Sequence, residues 1–341
     1  SMFDKNIGKE ARASLEFAED SRETEWVHPS FAALLYQGKV KWDLMHPFPR
    51  QSDEDKKLGD AFLAKLEAYL EANYDADEVD KTGEIPESIL KGLAELGCFA
   101  MKIPTQYNGL GLSQVNYNRA LHLTGSYCGN LTALLSAHQS IGVPQPLLLF
   151  GTDEQKEKFL PRFRDGAISA FALTEANAGS DPRAMTTTAT LTEDGSHYVI
   201  NGEKLWCTNG TKAHVIVVMA VTPPKIVRGK ERKQITAFLV EMDTPGVEVV
   251  HRCRFMGLKA LYNGVIRFTD VKIPKENMIL EEGDGLRLAL KTLNTGRLSI
   301  PAGVTGSSKW CMKINRKWTN ERVQWGHPIG EHETIAGKQA K

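Results

Sequence analysis

The chain has 341 residues, and its 42 basic and 42 acidic side chains give a formal charge of zero. Apolar residues make up 41% and charged residues 25%, which is ordinary for a globular protein, and the length favours two or three domains. The charge balance argues against nucleic-acid binding, which normally shows a basic excess.

The N-terminal half of the sequence predicts an extension followed by a helical domain. Residues 1–52 are mixed in character, with prolines that interrupt helix. Residues 53–166 are predicted to form the helical domain, whose first helix has Ser52 as its N-cap. Four apolar residues recur in that helix at helical spacing, namely Leu58, Phe62, Leu66 and Leu70.

Over residues 167–283 the sequence pattern changes and predicts β-strands. Apolar runs such as "HVIVVMAV" and "ITAFLVEM" alternate with turn signals. The sequence "EDG" at 193–195 and the two "NG" pairs at 201–202 and 209–210 indicate tight hairpins. A chain of hairpins predicts an antiparallel sheet or barrel.

Residues 284–341 return to a helical pattern, interpreted as a pair of long helices that begins a C-terminal bundle. Because the sequence stops inside this pattern, we expect a fragment of a longer protein with one apolar helix face uncovered. The predicted fold class is multidomain α+β, with an N-terminal helical domain, a middle antiparallel β-barrel and a partial C-terminal helical bundle.

Cysteine usage and hydropathy bear on the compartment. The five cysteines are odd in number and form no Cys-x-x-Cys pair, which indicates reduced thiols. No apolar run approaches the length of a membrane span. We predict a soluble intracellular protein, in the bacterial cytoplasm or the mitochondrial matrix, and no metal site.

Two segments of the β region have side-chain choices that suggest chemistry. "FALTEANAGSD", residues 171–181, passes from a strand into small and polar residues, which leaves room for something flat or narrow. "KLWCTNG", residues 204–210, presents Trp206 and Thr208 together, and an indole beside a hydroxyl suits a planar ring such as isoalloxazine. Taken singly, a tryptophan in a strand more often belongs to the core or to the sheet surface, and a Gly-Ser-Asp sequence more often ends a strand.

Together the two segments resemble motifs of the acyl-CoA dehydrogenase family. "LTEANAGSD" is similar to T-E-x-x-x-G-S-D, and "NGEKLWCTNG" is similar to N-G-x-K-x-W-I-[TS]-N-G, with Cys207 in place of isoleucine. The resemblance runs from about Ser30 to the last residue, and "AHQSIG" and "LNTGR" are nearest to the very-long-chain branch. It implies an FAD-dependent enzyme of fatty-acid β-oxidation that desaturates medium-to-long-chain acyl-CoA thioesters.

The resemblance also implies roles for individual residues. Thr174 is expected at the pyrimidine edge of the flavin, Thr208 near N5, and Arg322 at the FAD pyrophosphate of a neighbouring subunit. The residues expected to contact FAD are Phe171, Leu173, Thr174, Gly179, Ser180, Trp206, Cys207, Thr208, Arg322 and Gln324. The residues expected to contact the substrate are Ser180, Asn294 and Arg297.

No catalytic base is assigned. Removal of the α proton requires a positioned carboxylate. In most branches this glutamate lies late in the C-terminal domain, here expected beyond the chain end, and in a minority it precedes the arginine that matches Arg297. Gly296 occupies that second position. The chain is therefore expected to be inactive, with Glu175 the first residue to re-examine, and His138 is interpreted as structural. Because most of the C-terminal bundle is expected beyond the chain end, we also expect weak or absent flavin.

Partners and alternatives complete the hypothesis. The resemblance implies an electron-transfer flavoprotein as electron acceptor and a homodimer or homotetramer. A related acyl-CoA oxidase or flavin monooxygenase would differ in oxygen access to the flavin. A catalytically silent scaffold or assembly protein would bind no flavin, so a visible spectrum separates it from the enzymes.

Overall fold

The structure is a computed structural model that describes Gly8, Arg12 and residues 30–227 and 229–341. The rest of the first 29 residues of the predicted N-terminal extension lies outside the described residues. Over the described ranges, no helix combines the length and apolar character needed to cross a bilayer.

Residues 30–163 are mainly helical. The α-helices are α1 (Phe31–Tyr36), α2 (Asp53–Asn73), α3 (Ala76–Thr82), α4 (Glu87–Glu95), α5 (Gln114–Tyr127), α6 (Gly129–Ser136), α7 (Pro144–Phe150) and α8 (Asp153–Phe159). A π-helical turn, Ala137–Ile141, follows α6. Short 3-10 helices lie at Trp42–Leu44, Cys98–Ala100, Thr105–Tyr107 and Leu160–Phe163, and later at Pro182–Ala184, Lys275–Asn277 and Ile329–Glu331.

Helix α2 follows its predicted pattern with one exception. The Ser52 hydroxyl accepts a hydrogen bond from the Asp55 amide at 3.2 Å, so the predicted N-cap is confirmed. Phe62, Leu66 and Leu70 are buried in the core of the helical domain. Leu58 is 50% exposed, because the chain brings Gly59 rather than Leu58 against the Asn116 side chain.

The middle of the chain forms one mixed sheet. Its strands are β1 (Ser169–Ala172), β2 (Thr188–Leu191), β3 (His197–Cys207), β4 (Val215–Val227), β5 (Lys230–Glu241), β6 (Val247–Arg252), β7 (Gly264–Pro274) and β8 (Met278–Ile279). The strand order is β6-β7-β3-β2-β4-β5-β8, with β1 beside β4. Both β1 and β2 run parallel to β4, so the sheet is not purely antiparallel as the hairpin signals predicted.

Two of the three predicted hairpin turns have another role. Asn201-Gly202 lies inside β3 at a bulge, where φ of Gly202 is +148° and an added Cβ would lie 2.6 Å from Thr187 Cα. Asn209-Gly210 turns the chain from β3 towards β4, which are not neighbours in the sheet. Of the three, the turn at 193–195 joins paired strands, β2 and β3.

The C-terminal region is built on one long helix rather than the predicted pair. Helix α9 (Gly285–Glu321) has 37 residues and continues through Pro301. Proline removes one backbone donor from a helix, and here the packing of α9 along α5 outweighs that cost. A small hairpin, β9 (Val323–Gln324) and β10 (His327–Pro328), and helix α10 (Glu333–Ala340) follow.

Glycines allow α9 to lie directly on α5. An added Cβ at Gly125 would lie 2.2 Å from the Gly303 carbonyl oxygen, and one at Gly306 would lie 1.9 Å from that of His122. The Ser307 hydroxyl donates to the Gly125 carbonyl at 2.7 Å across the same contact. Helix α9 also carries exposed apolar residues, as expected from the sequence: Leu298, Ile300, Val304, Trp310, Ile314 and Trp318.

Candidate active site

The two motif segments lie side by side in the folded chain. The Leu205 amide donates to the Thr174 carbonyl at 2.8 Å, and the Lys204 ammonium donates to the Leu173 carbonyl at 3.1 Å. The Cys207 thiol lies 3.8 Å from the Phe171 carbonyl oxygen. The end of β3 therefore runs along the segment that follows β1, and both contribute to one surface.

A cavity of about 180 Å³ opens between this surface, the π-helical turn and α9. Its lining residues are Ala137, Ile141, Phe171, Leu173, Thr174, Leu205, Trp206, Thr208 and Leu293. Five of these are residues that the motifs singled out. The sequence interpretation missed the other four, although "AHQSIG" and "LNTGR", quoted for their resemblance, contain or adjoin three of them.

Trp206 stands at the cavity in an unusual backbone conformation. Its φ is +58° and its side chain is 51% exposed. A bulky residue with positive φ is an outlier that stores strain, and such residues cluster at functional sites. The indole ring lies 5.8 Å from the Phe255 ring, tilted by 34°. A half-exposed indole held this way offers a flat apolar face to a ligand.

Asn263 fixes the turn that carries Trp206 and Thr208. Its side-chain amide donates to the Trp206 carbonyl at 3.2 Å and to the Thr208 hydroxyl oxygen at 3.0 Å. Because the Thr208 oxygen accepts this bond, its own proton stays available to a ligand in the cavity. Asn263 was not singled out in the sequence.

The remaining flavin candidates on the two motifs lie beside the cavity rather than in its lining. Gly179 and Ser180 follow the buried Ala178 and are exposed in the loop after the cavity wall. An added Cβ at Gly179 would meet nothing within 4 Å. Cys207 is buried in the sheet core and does not line the cavity. Burial raises the pKa of its thiol to about 12.

The candidates on and beyond α9 are spread along the helix. The Arg297 guanidinium donates to the Asn294 side chain at 2.9 Å, one turn past the cavity residue Leu293. From Leu293 to the end of α9 the helix rises by about 42 Å at 1.5 Å per residue. Arg322 and Gln324, which follow α9 and are exposed, therefore lie far from the cavity of their own chain. A role in a neighbouring subunit stays a prediction.

None of the residues lining this cavity in the described part of the chain is a carboxylate. Gly296 is buried, and an added Cβ there would lie 3.0 Å from the Ile141 Cδ1 atom, at the cavity wall. Burial alone would raise the pKa of Glu175, but the ion pair with Lys204 and the hydrogen bonds from Thr186 and Thr187 lower it to about 2. Glu175 is therefore unsuited to accept a proton.

His138 is a structural residue, as predicted. It is fully buried, its Nε2 donates to the Phe99 carbonyl at 2.7 Å, and its Nδ1 accepts from the Ser169 amide at 3.0 Å. Both ring nitrogens are thus satisfied in the neutral tautomer. Burial lowers the pKa of His138 to about 4.

This lowered pKa predicts an acid sensitivity of the fold. Between pH 6.5 and pH 4 the histidine takes up a proton in the unfolded chain but not in the folded one, so stability falls as the pH falls. The shift corresponds to a loss of about 3 kcal/mol in the free energy of unfolding. Denaturation of wild type and His138→Gln at pH 7 and pH 4 checks this. An equal pH dependence in the two proteins would contradict the assignment.

Comparison with known proteins agrees with this architecture. Three family models match in order: the N-terminal domain of acyl-CoA dehydrogenase over residues 52–167, the middle domain over 170–271 and the C-terminal domain over 283–341. A probable acyl-CoA dehydrogenase, FadE10 of Mycobacterium tuberculosis, is 52% identical over 330 residues, covering 97% of this chain and 50% of FadE10. The very long-chain specific acyl-CoA dehydrogenase of Rattus norvegicus is 35% identical over 315 residues, covering 92% and 48%.

Solved structures show the same relationship. Butyryl-CoA dehydrogenase from Megasphaera elsdenii superimposes with a TM-score of 0.75 at 32% identity, covering 86% of this chain and 75% of that one. An acyl-CoA dehydrogenase from Bacillus anthracis, solved in complex with FAD, also has a TM-score of 0.75 and 32% identity, covering 85% of this chain and 48% of that one. The chain thus spans about half the length of the curated relatives it matches.

Proposed function

The chain belongs to the acyl-CoA dehydrogenase family, and we propose that it forms the flavin- and thioester-binding part of an enzyme that desaturates medium-to-long-chain fatty acyl-CoA. The observation that supports this most is the cavity where Thr174, Trp206 and Thr208 meet. The proposed electron acceptor, an electron-transfer flavoprotein, rests on the family resemblance.

The residues at the cavity fit an isoalloxazine ring. The half-exposed Trp206 indole supplies a flat face, and the Thr208 hydroxyl supplies a donor whose oxygen is already held by Asn263. Thr174 offers polar groups on the same surface. When bound, FAD supplies the acceptor for the hydride that leaves the β carbon of the acyl thioester. The chain's own part is to orient the ring and to exclude water with the apolar side chains of Ile141, Leu173 and Leu293.

A visible-absorption titration with FAD tests the proposal. We expect the flavin bands to shift on binding, and binding to strengthen with protein concentration because Arg322 is proposed to act on a neighbouring subunit. Bands that stay those of free FAD at every concentration would contradict the proposal and favour the scaffold hypothesis. That second hypothesis is supported by the absence of a carboxylate from the lining of the cavity among the described residues.

The small residues of the first motif allow a steric test of whether this loop contacts the ligand. An added side chain at Gly179 meets open space and its φ is not positive, so Gly179→Leu should leave the fold unchanged. If the loop lies against FAD or the thioester, the same leucine should weaken ligand binding about tenfold or more, a loss of about 1.4 kcal/mol. Flavin titration and thermal denaturation measure the two effects.

Gly337→Leu is the matched control. Gly337 also meets nothing within 4 Å and lies in α10, beyond Arg322. We expect this variant to bind FAD as wild type does. Equal affinities for the two leucine variants would show that the loop at Gly179 does not contact the ligand.

A further inference from the structure

A buried ion pair lies directly behind the cavity wall. Lys204 Nζ and Glu175 Oε1 are 2.8 Å apart, and the two side chains are 0% and 5% exposed. Burying charges is expensive unless they are paired and hydrogen-bonded. Neither residue lines the cavity, but the neighbours Leu173, Thr174 and Leu205 do.

The pair joins three stretches of backbone. Lys204 Nζ donates to the Leu173 carbonyl at 3.1 Å as well as to the carboxylate. The Glu175 Oε2 atom accepts from the Thr186 amide at 2.7 Å and hydroxyl at 2.8 Å, and Oε1 accepts from the Thr187 amide at 3.0 Å. Four donors thus hold the carboxylate, and the ammonium connects it to the segment after β1.

The lysine contact fixes a peptide plane of the cavity wall. In a trans peptide the carbonyl of one residue and the amide of the next point in opposite directions. Because the Leu173 carbonyl points to Lys204, the Thr174 amide points away from it. The Leu205 amide holds the next carbonyl, that of Thr174, at 2.8 Å. The backbone on both sides of Thr174 is therefore set by β3.

Overall stability does not account for this arrangement. Replacing a buried ion pair by apolar residues of similar volume is often neutral or stabilising. A methionine could fill the lysine site, but it could not donate to the Leu173 carbonyl. What the pair provides beyond packing is the direction of the peptide groups around Thr174.

We propose that Lys204 and Glu175 are positioning residues that shape the flavin-facing wall through the Leu173 carbonyl. The ligand named here rests on the proposed function, whereas the shape of the wall does not. The lysine holds the wall, and the glutamate, anchored at Thr186 and Thr187, holds the lysine.

The test compares a single and a double variant with a matched control. Lys204→Met removes the donor, and Glu175→Gln/Lys204→Met removes both charges. Ile273→Ala is the control, because Ile273 is buried in the same sheet but does not line the cavity. Hydrogen–deuterium exchange is measured on peptides covering residues 171–178, with each protein held the same number of degrees below its own melting temperature. Exchange should be at least about tenfold faster in both lysine variants than in wild type, and it should be unchanged in Ile273→Ala.

Flavin titration provides the second measurement. We expect FAD affinity to fall about tenfold in both lysine variants and to stay at the wild-type value in Ile273→Ala. Exchange in residues 171–178 that matches the control would overturn the positioning role, as would failure of both lysine variants to fold while the control folds. If wild type binds no FAD, the proposed function fails, but the exchange comparison still decides how the wall is held.

Discussion

Supplied with FAD and a long-chain acyl-CoA under anaerobic conditions, the 341-residue chain is expected to reduce no acceptor dye above background. The α proton needs a carboxylate that faces the thioester, and none lines this cavity in the described ranges. Glu175 is held by Lys204 and by three donors from residues 186–187. Loss of general-base assistance alone lowers a rate by about 10²–10⁴-fold.

Gly296→Glu tests the geometry behind this expectation. A side chain at residue 296 points to Ile141 in the cavity wall, and the nearest atom, Cδ1 of Ile141, is the end of a flexible side chain that can move. A glutamate should therefore reach the cavity and recover a trace of dye reduction that rises with pH as its carboxylate ionises. Gly296→Gln, with the same volume and no charge, should stay at background. Robust turnover by the unmodified chain would mean that another base acts.

The motifs predicted which parts of the chain meet, because the residues that join them belong to the motifs themselves. Lys204 and Leu205 in the second motif bond to Leu173 and Thr174 in the first. The proximity of Trp206 and Thr208 is likewise apparent from the sequence, where only Cys207 separates them. The positive φ of Trp206 could not be predicted, because nothing in the local sequence requires it.

Other features depended on distant partners and could not be predicted locally. Asn201-Gly202 has the composition of a hairpin turn, but β7 and β2 pair on both sides of it and keep it inside β3. A proline such as Pro301 often ends a helix, but α9 packs along α5 and stays helical past it. The cavity residues Ile141 and Leu293 come from two separate helical elements, and only tertiary packing brings each of them to the β domain.

The second large effect is expected from Gly306→Val on α9. An added Cβ would lie 1.9 Å from the His122 carbonyl oxygen, which is backbone and cannot move aside as a side chain can. Helix α9 must then separate from α5, which breaks the contacts around Gly125 and Gly303 as well. Overpacking typically costs about 1–3 kcal/mol, and a clash with backbone is expected at the upper end of that range. Chemical denaturation should show this loss in the free energy of unfolding.

The same displacement should reach the cavity, because α9 carries Leu293 and Gly296 to its wall on the same rigid element. Gly306→Val is therefore expected to lose FAD affinity together with stability. Ser308→Val introduces the same side chain at an exposed position two residues further along α9, and its free energy of unfolding should stay within about 0.5 kcal/mol of wild type. If Gly306→Val were as stable as Ser308→Val, the close contact between α5 and α9 would not hold the helix against the cavity.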